Sequence, residues 1–263
     1  MIKKTLRGFG WYYFLRYSVL FNWYDQLFNK EKILQQKREL EFYSSFLSRC
    51  KLIYDIGAHE GHKTEVFSRL AQKVIACEPD EHNLKILRMR FRTKRRIIIQ
   101  NLAVSDKNGE TDLYIHHPGS AVNTINPEWI GILEKDKLQR WSQIVQFSSE
   151  KQKVRTVTLD NLIIKFGKPD FIKIDVEGSE LNVFKGLSQR IACLTFEVLL
   201  PEFWERSIEC MKMLIEMDPK TGFNYAIDEK LQLDQFLPYD EFMRIYNKLS
   251  IPHLEIIAKT PPS

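Results

Sequence analysis

Short apolar runs alternate with apolar residues at helical spacing from Lys51 to the end of the chain. The runs predict buried strands at 52–56, 74–77, 97–99, 171–175 and 194–198. Between them, apolar positions such as Leu84, Leu87 and Phe91 recur at the spacing of an amphipathic helix. Strands that alternate with helices are typical of a parallel sheet covered by helices on both faces. The pattern therefore predicts an α/β fold built on a doubly wound sheet.

Three further predictions concern the place of single strands in that sheet. The consecutive isoleucines at 97–99 are typical of a strand that is buried on both faces. The run at 154–158 predicts another strand of the parallel sheet. The segments 223–227 and 254–258 predict a final, hairpin-like pair at the edge of the sheet.

A long polar segment, 116–153, interrupts the alternation. It is irregular, with Pro118 and Pro127, and its helical pattern covers about 133–141. An excursion of this length in a compact domain is usually a lid or a binding insert. We therefore expect it to cover an acceptor with hydrogen-bonding groups and flat apolar faces, supplied by Ser120, Asn123, Thr124, Asn126, Trp129 and Trp141.

The N-terminal part of the chain has a different character. Residues 10–24 form the most apolar stretch, but Arg16 interrupts it and it falls short of the ~20 residues that a membrane-spanning helix needs. The basic and aromatic residues within 3–24 are compatible with peripheral contact at a membrane interface. They are equally compatible with a helix that packs on the core or on a second subunit.

An amphipathic helix is predicted from about Lys30 to Arg49, ahead of the first strand. We therefore divide the chain into a helical and aromatic N-terminal extension, 1–50, and a main domain, 51–263. With 263 residues, of which 44% are hydrophobic and 12% aromatic, the chain can bury a substantial core. Disordered and low-complexity classes are excluded by the same composition.

The charge balance and the cysteines limit the possible functions further. The chain has 39 Lys and Arg against 34 Asp and Glu, and a net charge of +5 does not by itself require a nucleic acid partner. Part of the excess lies in one basic run, 85–96, which is typical of a solvated helix face. The four cysteines have no paired CxxC spacing, so neither a disulfide framework nor a cysteine zinc site is predicted. A reducing, cytoplasmic location fits this pattern.

Two marked segments follow the first two predicted strands. In YDIGAHEG the strand ends in Asp55, and Gly57 and Gly61 bracket a tight turn whose backbone can approach a ligand closely. In ACEPD the next strand closes with Glu78, and Pro79 ends it because proline has no N–H to donate. An acid in this place can accept both ribose hydroxyls of an adenosine-containing cofactor. Together the two segments indicate a nucleoside site.

Two later segments also lie at strand ends. NLAVSD places small and polar groups where an adenine ring would lie, although such residues are common in turns. DFIKIDVEGSE crowds Asp175, Glu177 and Glu180 at the end of a central strand. Neighbouring carboxylates repel one another, so the crowding points to a bound cation or to proton transfer. Capping of the next helix by Ser179 or Glu177 is the structural alternative, and it leaves Asp175 unexplained.

In this order and spacing, the four segments resemble the FkbM-type S-adenosylmethionine-dependent methyltransferases. The resemblance covers roughly Lys51 to Glu197. It implies the class I methyltransferase (Rossmann-like) fold, a mostly parallel seven-stranded sheet whose last strand is antiparallel. It also implies methyl transfer from S-adenosyl-L-methionine to a hydroxyl oxygen, commonly of a sugar in a glycan or of a secondary metabolite. His59 stands where many members carry Asn, and both side chains can form hydrogen bonds.

The resemblance also implies roles for single residues. The cofactor-binding residues would be Asp55, Gly57, His59 and Gly61 at the methionine end, Glu78 and Pro79 at the ribose, Asn101 and Ala103 at the adenine, and Asp175 beside the sulfonium. A carboxylate there would offset the positive charge on sulfur. Methyl transfer is an in-line displacement that needs little covalent help, so positioning supplies much of the acceleration.

The acceptor hydroxyl must also lose its proton, and several catalytic bases remain open. The candidates are Asp175, Glu177, Glu197 at the end of its own strand, and His116 at the start of the insert. His116 and its neighbour His117 are equally consistent with exposed loop residues. A divalent metal held by Asp175 and Glu197 is conceivable, but no ligand spacing indicates one, and none is predicted.

Three other functions remain open. An RNA methyltransferase would use the basic run at 85–96 and show salt-dependent affinity, but the chain has no RNA-binding module, so nucleic acid is not the expected partner. A nicotinamide-dependent dehydrogenase would need a different glycine spacing. A non-catalytic nucleotide-binding protein would keep the fold without needing the carboxylates. We expect a small-molecule or glycan acceptor, and the oligomeric state is left open.

Overall fold

The computed structural model describes residues 30–134 and 145–261. In these residues the helices are α1 Lys30–Phe46, α2 His62–Leu70, α3 Glu81–Arg90, α4 Pro127–Glu134, α5 Leu159–Phe166, α6 Glu180–Lys185, α7 Trp204–Met217 and α8 Tyr239–Tyr246. The strands are β1 Cys50–Ile56, β2 Ala71–Cys77, β3 Ile97–Gln100, β4 Ala103–Val104, β5 Gly109–Tyr114, β6 Lys151–Val157, β7 Phe171–Ile174, β8 Cys193–Leu199, β9 Gly222–Ile227, β10 Lys230–Leu231, β11 Leu237–Pro238 and β12 His253–Lys259.

The main sheet has the strand order β10-β9-β12-β8-β7-β1-β2-β3, and β11 pairs with β9. Strands β3, β2, β1, β7 and β8 are parallel neighbours, whereas β12 is antiparallel to both β8 and β9. The chain starts the sheet at β1 and builds outward on both sides, so the strand order reverses between β1 and β7. The predicted doubly wound, mostly parallel sheet with an antiparallel last strand is confirmed.

Apolar cores lie on both faces of this sheet. On one face, Tyr43 of α1 and Phe67 of α2 have ring centroids 4.8 Å apart, and Phe67 lies 5.6 Å from Phe171 of β7. On the other face, Phe184 of α6 packs edge-on against Phe196 of β8 at 5.1 Å. All five rings are buried. Helix α1 precedes the first strand but contributes directly to the core.

Strands β4, β6 and β5 form a separate three-stranded sheet. Strand β6 is parallel to β4 and antiparallel to β5. The prediction that 154–158 continues the parallel sheet is therefore wrong. Val154 and Thr156 are buried while Lys153 and Arg155 are exposed, and this alternation is typical of a sheet with one face in water.

The ends of the main sheet also differ from two predictions. Strand β3 forms one edge of the sheet. Ile97 is buried, but Ile98 and Ile99 are only half-buried, and each packs against one of the two cores. The predicted burial of this strand on both faces is wrong. Strands β9 and β12 pair as predicted, but β12 lies inside the sheet between β8 and β9, and β10 forms the edge.

The helix of the insert begins at an earlier residue than its pattern predicts. Helix α4 is described over Pro127–Glu134 and overlaps the start of the helix predicted at about 133–141, and the rest of that prediction lies outside the described residues. Trp141 lies outside the described residues. So does the segment 3–24, and its contact with a membrane stays a prediction. In the described parts of the chain, no helix is both long and apolar enough to cross a bilayer.

Candidate active site

A cleft, called here the main cleft, lies at the carboxyl ends of β1, β2 and β7, where the strand order reverses. Ligands of open α/β sheets bind at such a point. The predicted cofactor residues that line it are Gly57, His59, Glu78, Pro79, Ala103 and Asp175, and Glu177 also lines it. Residues distant in sequence thus meet in one cleft, as the strand-end segments predicted.

The other predicted cofactor residues are not among those that line the main cleft. Asp55 is buried and accepts a hydrogen bond from the Thr64 hydroxyl, which ties α2 to β1. Gly61 precedes α2 in the left-handed region, at φ +80°, and a Cβ there would lie 2.6 Å from the Phe91 ring. Asn101 is exposed. Asp55 and Gly61 shape the turn around the cleft, and direct contact of all three with a cofactor stays a prediction.

The turn after β1 is joined to both neighbouring segments through His59. Its backbone is left-handed, at φ +50°, and its N–H donates to Oε2 of Glu78 at 2.7 Å. Its ring Nε2 lies 2.9 Å from the carbonyl oxygen of Gly119 in the insert. A residue with an unusual backbone conformation persists only where its surroundings hold it. His59 therefore connects the turn, the acid after β2 and the insert.

Glu78 presents hydrogen-bond acceptors inside the main cleft. Its Oε1 accepts from the Asp80 N–H at 2.8 Å, and its Oε2 accepts from His59, so the backbone fixes the carboxylate. Burial raises the pKa of Glu78 to about 7. Beside it, Oδ1 of Asn83 is buried and has no hydrogen-bond partner. A carboxylate oxygen can accept more than one hydrogen bond, so Glu78, which the Asn83 side chain also contacts, and Oδ1 of Asn83 together suit a ligand with hydroxyl donors.

The far wall of the main cleft is apolar. It includes Leu102, Val104, Leu113 and Ile125, which come from the start of the small sheet and from the insert. Leu102, Val104 and Leu113 are almost completely buried. A flat, apolar group would fit between these side chains, next to the hydroxyl acceptors of Glu78.

The insert is anchored by polar side chains that were expected to face an acceptor. Nδ2 of Asn123 donates to Oδ2 of Asp80 at 2.6 Å, and Asp80 also caps α3. The Thr124 hydroxyl donates to the carbonyl oxygen of Glu177 at 2.7 Å. Nδ2 of Asn126 donates to the carbonyl oxygen of Gly178 at 2.6 Å. These groups hold the insert and the loop after β7 together.

His116 does not line the main cleft. Its Nδ1 is 3.0 Å from the Ser120 hydroxyl, and its backbone N–H donates to Oδ1 of Asn123 at 2.8 Å. Burial, helped by neighbouring His117, lowers its pKa. Among the described residues these contacts place His116 within the insert and not beside Asp175.

A buried lysine, which the sequence analysis did not single out, balances the carboxylates after β7. Lys173 is 2% exposed; its Nζ donates to Oδ2 of Asp175 and lies 3.8 Å from Oε1 of Glu197. Burial and the Glu197 carboxylate raise the pKa of Asp175 to about 7, against the pull of Lys173. Burial opposes ionisation of Glu197 as well, but Lys173 and His253 lower its pKa to about 2. The sequence held one signal of this role, a lysine inside an otherwise apolar predicted strand.

Lys173 compensates Glu177 only in small part. Burial and the charges of Asp175, Glu197 and Glu180 raise the pKa of Glu177 well above its ordinary value. Its backbone is left-handed, at φ +52°, and the Thr124 hydroxyl holds its carbonyl oxygen. A cation bound at this end of the main cleft would favour the ionised forms of these crowded carboxyl groups, so the cleft suits a positively charged ligand group.

A second, smaller cleft, called here the side cleft, shares Glu177 with the main cleft. It is lined by Trp129, Glu177, Gly178, Glu180, Glu197, Leu199, Phe203 and His253. The Trp129 and Phe203 rings lie 5.4 Å apart, and Nε1 of Trp129 is buried without a hydrogen-bond partner. Of the expected acceptor-facing residues, Trp129 is the one found here. The sequence analysis missed His253 and Phe203.

No group of three or more His, Cys, Asp and Glu side chains in residues 30–134 and 145–261 is arranged to hold a metal ion. Asp175 and Glu197, which the sequence suggested as conceivable ligands, are both within reach of the ammonium of Lys173. The four cysteines are buried free thiols.

The sequence matches the family described as methyltransferase FkbM domain over residues 55–244. No curated protein matches it. Among solved structures, the model is similar to a methyltransferase FkbM from Methylobacillus flagellatus KT, with 16% identity, 84% of this chain and 47% of that chain covered, and a TM-score of 0.49. The chain thus spans about half the length of that protein.

Two further similarities have lower scores. A precorrin-6y C5,15-methyltransferase from Geobacter metallireducens GS-15 is 9% identical, with 88% of this chain and 87% of that chain covered and a TM-score of 0.43. M. jannaschii TYW2, solved in complex with AdoMet, is 13% identical, with coverages of 88% and 75% and a TM-score of 0.39.

Proposed function

The chain belongs to the methyltransferase FkbM domain family, and from this premise we propose that it transfers a methyl group from S-adenosyl-L-methionine to a hydroxyl oxygen of a sugar or glycan. The proposal has two parts, a cofactor in the main cleft and an acceptor in the side cleft. Each part is supported by a different set of contacts.

The chemistry of the main cleft supports the cofactor. The apolar wall suits an adenine ring, and Glu78 with the unpartnered Oδ1 of Asn83 suits the two ribose hydroxyls. Asp175 and Glu177, whose raised pKa values a bound cation would lower, suit the sulfonium and the ammonium of the methionine part. When bound, the cofactor would supply an electrophilic methyl group, and Asp175 and Glu177 would hold its positively charged part.

The acceptor site rests on one observation: Glu177 lines both clefts. A group in the side cleft therefore lies next to the part of the main cleft that favours a cation. Trp129 and Phe203 offer flat apolar faces, and Glu180 and Glu197 offer hydrogen-bond acceptors. A sugar has an apolar face and several hydroxyl donors, so it fits this combination.

RNA gains no support from the basic run at 85–96. Arg90 and Lys94 contact Glu65, within the helical layer. Arg95 and Arg96 directly precede β3, and the amino ends of parallel strands lie at the edge of the sheet opposite to the clefts. Phosphates bound there would not bring a base to the side cleft.

Calorimetric titration tests the cofactor. We expect binding of S-adenosylmethionine and S-adenosylhomocysteine but not of NAD, and loss of binding in Glu78→Ala and Asp55→Ala. Glu150→Ala, at an exposed position outside both clefts, is the matched control and retains wild-type affinity. Selective binding of NAD, or unchanged affinity in Glu78→Ala, would contradict the assignment of the main cleft.

A second experiment tests the acceptor. The protein is incubated with cofactor carrying a ¹³C-labelled methyl group and a panel of methyl glycosides, with a short single-stranded RNA as comparator, and NMR identifies the labelled product. An O-methyl signal from a glycoside supports the proposal. Labelled RNA with no labelled glycoside would replace the proposed acceptor with RNA.

A further inference from the structure

His253 and Glu197 form a pair at the rim of the side cleft. Nε2 of His253 lies 3.4 Å from Oε2 of Glu197, and the histidine side chain is 55% exposed. Both residues line the side cleft together with Glu177, which also lines the main cleft. A titratable ring that solvent can reach thus borders the place proposed for the acceptor.

The pairing of β8 with β12 creates this contact. The two strands are antiparallel, with Glu255 opposite Glu197 and His253 opposite Leu199. Side chains two residues apart on a strand share a face, so His253 lies diagonally across from Glu197. Oε1 of Glu197 is directed to Lys173 at 3.8 Å while Oε2 meets His253. The sheet therefore fixes the carboxylate between a buried cation and the imidazole.

The ionised state of Glu197 sets the tautomer of His253. An ionised carboxylate only accepts hydrogen bonds, so Nε2 of the neutral imidazole must carry the proton. Nδ1 is then the acceptor, and in the described residues no protein group is bonded to it. A carboxylate that orients an imidazole in this way leaves the opposite nitrogen available as a base.

We propose that Nδ1 of His253 accepts the proton of the acceptor hydroxyl and that Glu197 is the positioning residue that holds the ring. This inference rests on the proposed function. The acceptor oxygen forms a bond to the methyl carbon as the bond from that carbon to sulfur breaks, and the hydroxyl proton passes to Nδ1. The imidazolium then returns the proton to solvent through its exposed side.

The other bases near the methyl group are engaged elsewhere. Asp175 is hydrogen-bonded to Lys173, and both its protonation and that of Glu177 would remove the charge that suits the sulfonium. His116 lies within the insert. His253 can take up a proton without removing that charge, because its carboxylate partner Glu197 stays ionised.

The groups that face His253 shift its pKa in a direction that a pH–rate profile can measure. Hydrogen bonding to Glu197 raises the pKa of His253 above 6.5; burial opposes this, and the charges of Asp175 and Glu255 add to it. A base must be deprotonated to act, so the rate should rise with pH through this raised pKa. Replacing Glu197 with Gln should move the inflection to lower pH.

The first test is direct and needs no acceptor. The protein is labelled with ¹⁵N-histidine, saturated with S-adenosylhomocysteine, and studied by long-range ¹H–¹⁵N NMR, with His253→Gln used to assign the signals. We expect the Nε2–H tautomer in the wild-type protein and a mixture in Glu197→Gln. An Nδ1–H tautomer in the wild-type protein would overturn the proposal.

The second test uses the glycoside that the panel identifies. We expect His253→Gln to lower kcat by about a hundredfold or more and to remove the pH inflection, with S-adenosylhomocysteine affinity unchanged. His62→Gln is the control: His62 also lies near a carboxylate, 3.7 Å from Glu60, but lines neither cleft, and its kcat should equal that of the wild-type protein.

The outcomes separate this inference from the proposed function. Wild-type kcat in His253→Gln would overturn the role of His253 and leave the methyltransferase intact. If the wild-type protein binds no cofactor, the proposed function is instead refuted. If the cofactor binds but no glycoside is methylated, the acceptor class is wrong, and the tautomer of His253 decides whether a base is poised at the side cleft.

Discussion

Gly57 lies so close to the main chain of Asp175 that a Cβ on Gly57 would be 1.7 Å from the Asp175 carbonyl oxygen. Gly57 follows β1 and Asp175 follows β7, the two strands between which the order of the sheet reverses. The Asp175 N–H donates to the carbonyl oxygen of Ile56 at 2.9 Å, which prolongs the pairing past the strand ends. The main cleft opens directly beyond this contact.

Gly57→Ala should therefore both destabilise the protein and abolish cofactor binding. The new methyl group overlaps backbone, which cannot move aside as a flexible side chain can, and Gly57 has φ +85°, where L-residues are strained by about 1–2 kcal/mol. We expect a loss of at least about 2 kcal/mol in the free energy of unfolding. Denaturant unfolding and calorimetry with S-adenosylhomocysteine measure the two effects.

Gly131→Ala is the matched control. Gly131 lies in α4, and a Cβ there would meet nothing within 4 Å. Alanine favours a helix over glycine by about 1 kcal/mol, so this variant should be as stable as the wild type or slightly more stable. Wild-type stability and binding in Gly57→Ala would contradict the close approach at the cleft.

Lys173→Met should be strongly destabilising. The buried ammonium lies beside Asp175 and Glu197, which are 26% and 32% exposed, and its removal leaves Asp175 without its cation and Glu197 with His253 alone. Breaking a fully buried ion pair costs about 3–5 kcal/mol, and because the two carboxylates are partly exposed we expect a loss at the lower end of this range. Thermal and denaturant unfolding measure the loss, and adding Asp175→Asn to Lys173→Met should recover part of it, because the second change removes one uncompensated charge.

The exposed pair Lys185–Glu209 provides the comparison. Its charged atoms are 3.6 Å apart, and the two side chains are 47% and 52% exposed. Exposed pairs contribute about 0–1 kcal/mol, so Lys185→Met should change stability little. If Lys173→Met were equally mild, solvent at the partly exposed Asp175 would be enough to replace the ammonium.

The sequence located the main cleft because its residues follow parallel strands. Glu78 and Asp175 were found from their position after apolar runs, and parallel strands end at the same edge of a sheet. The His253–Glu197 pair was not found, since it joins residues 56 positions apart through an antiparallel register that residue types do not reveal.

The insert shows a second limit of what residue types predict. Asn123, Thr124 and Asn126 were expected to contact an acceptor, because amides and hydroxyls suit sugars. In the structure they bond to Asp80 and to the carbonyl oxygens of Glu177 and Gly178. Asn123 and Thr124 also line the main cleft, and their contact with an acceptor stays a prediction. Residue type indicates that a side chain seeks a hydrogen bond, but the partner depends on how the insert folds back over the strand ends.

Cofactor binding should release protons near neutral pH. The pKa values of Glu78 and Asp175 are each raised to about 7, chiefly by burial, and a cationic ligand favours their ionised forms. Affinity for S-adenosylmethionine should therefore rise between pH 6 and 8, by up to about tenfold per pH unit for each proton released. Calorimetry in buffers of different ionisation enthalpy counts these protons.

The stability of the ligand-free protein should change in the opposite direction. A carboxyl whose pKa is raised from about 4 to about 7 by folding contributes stability that is complete below pH 4 and is lost as the pH rises through 7. Glu197, with its pKa lowered to about 2, changes the stability of the protein only in more acidic solution. The melting temperature should fall from pH 6 to pH 8, and a rise over this range would contradict the burial of these groups.

Trp129→Phe should weaken acceptor binding and leave cofactor binding unchanged. Nε1 of Trp129 is a buried donor without a protein partner, and the ring lines the side cleft beside Phe203. Phenylalanine keeps a flat apolar face but removes the donor, so the folded protein loses no hydrogen bond. If Nε1 donates to an acceptor hydroxyl, KM for the glycoside should rise by about fivefold to tenfold, because a neutral hydrogen bond contributes about 1 kcal/mol.

Trp204→Phe is the matched control, since Trp204 begins α7, lies half-buried and lines neither cleft. Its KM for the glycoside and its affinity for S-adenosylhomocysteine should both equal those of the wild-type protein. An unchanged KM in Trp129→Phe would show that the donor does not face the acceptor. A loss of cofactor affinity in that variant would instead place the Trp129 ring against the cofactor, and the two clefts would then form one continuous cofactor site.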